Sequence, residues 1–248
     1  MFTSIGVKIR QGEGRFWSSL KWAARGVLQF HIPVLPTTKP VFRILYTLHV
    51  MGRESWRWVL RFFWFEPLFR SQCESVGERF QMEFLPYMSG HGSIRIGARV
   101  RLSGKSNFIF CNRVYERPEL VFGDDSFLGH NCAIRVAQKV TIGKNCLIAA
   151  GVKMQDYDGH PIDAGQRREG QPPPSDGVKP IIIGNDVWIG NGALILKGIT
   201  IGDRAIVGAE SVVTKNVPSD VVVAGNPARV VKHLILQTSN PVEFTAND

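Results

Sequence analysis

From Ile183 onward an aliphatic residue returns every six positions, at Ile183, Ile189, Ile195, Ile201, Val207 and Val213. A second phase runs four places behind it through Val187, Ala193, Ile199, Ala205, Ser211 and Val217, and Gly184, Gly190, Gly202 and Gly208 directly follow the aliphatic residue. A helix repeats every 3.6 residues and an amphipathic strand every 2, so neither sustains this spacing. Short strands separated by regular corners do. Corners need backbone that tolerates unusual dihedrals, which Gly, Asn and Asp supply in Gly184-Asn185-Asp186 and in Gly202-Asp203-Arg204. The pattern predicts a mainly β solenoid, a triangular prism with aliphatic side chains stacked inward.

A less regular array precedes it, as the triplets Ile96, Leu102, Phe108, then Phe122, Leu128, Ile134, then Ile142, Ile148, Met154. Each triplet predicts one coil, and the step of eight into Ile142 predicts a small outward bulge at a corner. The period fails altogether between Asp158 and Pro180. The expected organisation is therefore an N-terminal region over residues 1–92, a β-helix over 93–232 interrupted by a loop at 158–180, and a short C-terminal tail over 233–248.

Before Ser93 no hexad is visible, and five of the six tryptophans fall there: Trp17, Trp22, Trp56, Trp58 and Trp64. Phe16, Leu20, Ala23 and Val27 share one helical face with Lys21 and Arg25 outside it; Arg53, Arg57 and Arg61 recur four apart, opposite Trp56, Leu60, Phe63 and Trp64. Two readings stand side by side. Such helices suit an interfacial membrane anchor, or they cap the open end of the β-helix and bury the same aromatics.

The formal net charge of +9 calls for an acidic partner, such as a phosphorylated cofactor or an anionic surface. No nucleic-acid-binding module accompanies it, so nucleic acid is not expected. Cys73, Cys111, Cys132 and Cys146 form neither close zinc-type pairs nor a disulfide framework, and no histidine trio offers a metal site. Apolar stretches near the N-terminus are broken by Arg43, Arg53, Arg57 and Arg61. These features predict a cytoplasmic protein needing no metal, with a peripheral place on the inner membrane face left open.

On the hexads, the Gly159-His160-Pro161 loop and the two segments Ser211–Pro218 and Ala224–Val230, the chain resembles the hexapeptide-repeat acyltransferases. From Ile142 to Val231 it looks most like the galactoside, maltose and polysaccharide O-acetyltransferases. The resemblance implies a left-handed parallel β-helix, a homotrimer with active sites between subunits, acetyl-CoA as acyl donor and a carbohydrate acceptor. It makes His160 the catalytic base. An imidazole, with an ordinary pKa of about 6.5, can accept a proton from an alcohol that attacks a thioester.

The same resemblance places Thr214, Lys215 and Arg229 in the CoA groove, with Ala209 and Gly225 letting the pantetheine arm approach the backbone. Trp188 is carried over beside the acetyl group, and the Asn191 amide as an oxyanion donor. His130, Asn131 and Asp158 are candidates for binding the acceptor, Asn131 being as readily an ordinary corner residue. Asp156, Asp158 and Asp163 are candidates to orient His160. The acceptor group is expected to be a hydroxyl of a polysaccharide or lipid-linked glycan; an amino sugar and a non-catalytic scaffold are the alternatives.

Overall fold

The computed structural model describes residues 15–234, together with Val7 and Gln11. The chain divides into two units, Met1–Ser55 and Trp56–Asp248. The first contains the helix Arg15–Gln29 and most of the helix Lys39–Leu60, neither with a buried residue among those described.

In the second unit, strands of two to five residues pass in turn to a first, a second and a third sheet, of six, eight and six strands. Up to Val212–Val213 the strands pair in parallel with the strand three further along, except that Ile206–Val207 pairs with Val221–Ala224, two further along, so the chain winds around a triangular prism. The three inward columns are in register. Ile96, Phe122, Ile142, Ile183 and Ile201 stack on the first sheet. Leu102, Leu128, Ile148, Ile189 and Val207 stack on the second. Phe108, Ile134, Met154, Ile195 and Val213 stack on the third. All are buried, so the hexads are the core. Coils about 4.8 Å apart bury each aliphatic side chain against the coils above and below. Among the described residues, the one antiparallel pair of strands, Val221–Ala224 with Arg229–His233, closes the far end.

The winding begins one coil earlier than residue 93. Ser75–Val76, Gln81–Met82 and Tyr87–Ser89 pair with the strands containing Ile96, Leu102 and Phe108. This coil keeps the six-residue step, at Val76, Met82 and Met88, which register with Ile96, Leu102 and Phe108. Below it sits the cap: Phe69, fully buried, stacks on Phe80 with centroids 5.4 Å apart and touches Phe108 at 6.4 Å, while Phe65 packs against the same core. Of the expected tail at 233–248, residues 235–248 lie outside the described residues.

The corner glycines have a different cause from the one their composition implies. Gly143 and Gly184 carry no positive φ; a Cβ on Gly143 would lie 2.3 Å from the Gly184 carbonyl oxygen, and one on Gly184 would lie 2.8 Å from the Asp203 amide nitrogen. They are small because neighbouring coils meet there backbone to backbone. The left-handed residue comes two places later, at Arg99, Asp125, Asn145, Asp186, Arg204 and Asp220. Arg99 with Asp125, and Arg204 with Asp220, then form two-pronged ion pairs one coil apart, at 2.6–2.7 Å.

The step of eight into Ile142 is not an outward bulge. Ala133–Val136 and Lys139–Ile142 are longer strands, and the extra residues Val136 and Val140 are buried. Two excursions leave the third edge, between the third and first sheets: residues 111–118, which the hexad pattern passes over, and residues 156–180. Arg113 joins them by donating to the Gly170 carbonyl at 3.2 Å.

Candidate active site

The longer excursion has a fixed neck. Tyr157 and Val178 form an antiparallel bridge, and the Lys179 amide donates to the Asp156 carbonyl at 2.8 Å. Asp156 is fully buried, and its carboxylate accepts from the amides of Ala137, Gln138 and Lys139 at 2.6–2.7 Å. Burial pushes its pKa up by more than these three donors pull it down. Asp156 thus holds the loop's root to the preceding corner.

Beyond the neck, Asp163 caps the short helix Ala164–Arg168 by accepting from the Gln166 amide at 2.8 Å. Arg167 donates back to the carbonyls of Pro161 and Ile162, 3.0 Å from the first. Local geometry therefore fixes the backbone on the C-terminal side of His160, while its imidazole stays exposed.

His160 lines a cleft of about 360 Å³ with Asp158, Asp163, Gln166, Asp176 and Lys197. Asp158 is ion-paired to Lys197. Of the three acids expected to orient His160, Asp156 is committed to backbone amides, Asp163 to a helix cap and Asp158 to Lys197. Lys197 is a residue the sequence reading missed. It lies eighteen positions before Lys215 at the same phase of the repeat, a signal that was there to be used.

The other expected site residues divide between edges. Thr214 and Lys215 follow strand Val212–Val213 at the third edge, one coil beyond Lys197 and on the edge that carries His160. Asn191 and Ala209 lie at the second edge, where Gly190 is pressed to within 2.6 Å (virtual Cβ) of the Ala209 amide. Trp188 projects from the second sheet at 47% exposure, and Arg229 opens the closing hairpin beside that sheet. One chain therefore does not gather these groups into one groove.

His130 also belongs to the second edge. Its Nε2 lies 3.0 Å from the Ser103 hydroxyl, which donates to Glu83 at 2.9 Å, and its Nδ1 is 3.9 Å from Glu83. Glu83 and Ser103 were not anticipated, because their meeting depends on the coil before residue 93, outside the expected β-helix. Asn131 has φ +56° and is the left-handed residue of its corner. Within one chain these residues stand at a different edge from His160. Among the described residues no cluster of His, Cys, Asp and Glu could hold a metal ion.

Two family models match: the bacterial transferase hexapeptide of six repeats over residues 180–215, and the hexapeptide repeat of succinyl-transferase over residues 120–153. Galactoside O-acetyltransferase of Escherichia coli (strain K12) is 41% identical over 177 residues, covering 67% of this chain and 85% of that protein. The chain belongs to the hexapeptide-repeat acetyltransferases. It is an acyltransferase, and its prism is the left-handed β-helix of that family. An acetyltransferase relative from Saccharomyces cerevisiae is 36% identical over 125 residues, half of this chain; the match spans only 61% of that relative's length. Among solved structures, a variant of the Bacillus cereus N-acyltransferase AntD shares the fold at a TM-score of 0.56 and 18% identity, over 68% of this chain and 88% of that one.

Proposed function

We propose that the chain is an acetyl-CoA-dependent O-acetyltransferase of a sugar hydroxyl in a polysaccharide or lipid-linked glycan, with His160 as general base. The observation that carries this reading is an exposed histidine on a braced excursion, lining a cleft at the edge that also bears Lys197, Thr214 and Lys215. The relative named galactoside O-acetyltransferase supports a sugar acceptor.

In this mechanism His160 takes the proton from the acceptor hydroxyl as its oxygen bonds to the thioester carbonyl carbon. The tetrahedral oxyanion collapses, the C–S bond breaks, and the sulfur leaves with the proton from His160. The Asn191 amide serves as oxyanion donor. Lys215 and Arg229 are both exposed and basic, which suits the phosphates of CoA. Small residues at Ala209 and Gly225 leave room for the pantetheine arm, and Trp188 flanks it.

Because these residues sit on two edges, the complete groove requires two copies, one giving His160, Thr214 and Lys215, the next giving Trp188, Asn191, Ala209 and Arg229. A closed homotrimer provides this contact three times over. His130 and Asn131 then face the neighbour's loop and bind acceptor, with Asp158 on the loop itself.

The test is CoA release with galactosides, maltose and lipid-linked oligosaccharides as acceptors. His160→Ala lowers turnover about 10²- to 10⁴-fold while acetyl-CoA binding, followed by calorimetry, persists. Near-normal turnover in that variant removes His160 from the mechanism.

A further inference from the structure

The β-helix end is already capped by Phe65, Phe69 and Phe80, all within the second unit, yet the first unit carries two long helices with nothing buried. At 100° per residue, Phe16, Leu20, Ala23, Val27 and Leu28 fall within one arc of the helix Arg15–Gln29, with Arg15, Lys21 and Arg25 outside it. Phe16 is 70%, Val27 76% and Leu28 85% exposed. In the helix Lys39–Leu60, Val41, Ile44, Leu45, Leu48 and Met51 share one arc and are all exposed, while Lys39, Arg43 and Arg53 lie opposite.

Charge says what covers these faces. Residues 1–55 hold eight Lys and Arg against two Glu, so +6 of the chain's +9 sits in its first fifty-five residues. A second copy of this unit would bring a further +6 to the assembly, whereas an anionic bilayer offsets the charge. No described helix is long and apolar enough to cross a membrane, which leaves the interface plane.

We infer that the unit Met1–Ser55 is a peripheral membrane anchor whose ligand is an anionic phospholipid surface. Its two apolar faces lie at the headgroup–acyl boundary, and the positive charge carried on the other faces of the helices attracts the anionic surface across less than about a Debye length. The anchor fits an acceptor presented on lipid, but its recognition of lipid does not depend on the acetyltransferase reading.

Co-sedimentation of the full-length protein with phosphatidylcholine vesicles, with and without phosphatidylglycerol, tests it. The protein should sediment only when phosphatidylglycerol is present, and raised salt should release it. Arg15→Gln, Lys21→Gln and Arg25→Gln together should weaken binding on the order of a hundredfold, at roughly fivefold per basic residue. Val27→Asp with Leu28→Asp should abolish it. The thermal melt of the β-helix should be unchanged in both variants, since these side chains bury against nothing. Equal binding to pure phosphatidylcholine, or no vesicle binding, overturns the inference. So does lipid-free self-association that the Val27→Asp/Leu28→Asp variant dissolves, which would make a second copy the occupant. Vesicle binding needs no turnover, so its failure is distinct from that of the proposed chemistry.

Discussion

Replacing Asp156 by Ala should destabilise the β-helix out of proportion to the size of the side chain. The carboxylate receives three backbone amides, Ala137 on Oδ1 and Gln138 and Lys139 on Oδ2, in a fully buried position. Alanine leaves all three donors without a partner, at about 1 kcal/mol or more each, so the loss is roughly 3 kcal/mol at the least. For a unit of this size that lowers Tm by about 6–12 °C. Asp156→Asn should be nearly as damaging, because one amide oxygen cannot serve both sides of the corner and its NH₂ must face a donor. Thermal melts of the three proteins by circular dichroism give the comparison. A drop below about 2 °C for Asp156→Ala, or a benign Asn, would refute the view that this carboxylate ties loop to corner.

Glu119, Asp124, Asp125 and Asp220 have pKa values lowered chiefly by hydrogen bonds from Lys139, Lys144, Arg99 and Arg204, respectively. Their contribution is complete above the unfolded carboxylate value of about 4 and is lost as pH falls through the folded values. Tm should therefore decline below about pH 4, and Asp125→Asn with Asp220→Asn should flatten that decline. Gly143→Ala, which sets a methyl against the Gly184 carbonyl, should cost about 2 kcal/mol or more, read as a fall in Tm; an unchanged melt would show that the coils can part there. Burial pushes the thiols of Cys132 and Cys73 up to about 11 and about 12, so neither should react with an aromatic disulfide at neutral pH until the protein is unfolded. Rapid labelling of either in the native protein would count against their burial.

The core was legible because the solenoid repeats one physical constraint: every sixth residue must fill the same stack. That is why Ile96 through Val213 fall in register as the hexads predict. Legibility failed where another demand overrode the period. The first coil was overlooked although Val76, Met82 and Met88 keep the six-residue step, because a step of eight separates those three places from Ile96. The corner at Gly202-Asp203-Arg204 was readable, but not that Arg204, like Arg99, takes the left-handed place itself and pairs with an acid in the next coil. The excursion that carries His160 was readable from the break in the period, but Lys197 was not, because the coil after the excursion brings it to Asp158. The resemblance supplied the residues expected in the groove, and the fold distributes them over separate edges of one chain.

The glycine column at Gly143 and Gly184 makes the three corners of the prism unequal in what they can absorb. Where main chain rests directly on main chain, no slack exists for added residues, whereas the opposite corner has already taken up stretches of eight and twenty-five residues without disturbing the stack. New specificity in this scaffold, whether acquired by natural variation or by grafting, is thereby channelled to one seam, and the rest of the spool is free to stay unchanged while that seam diversifies.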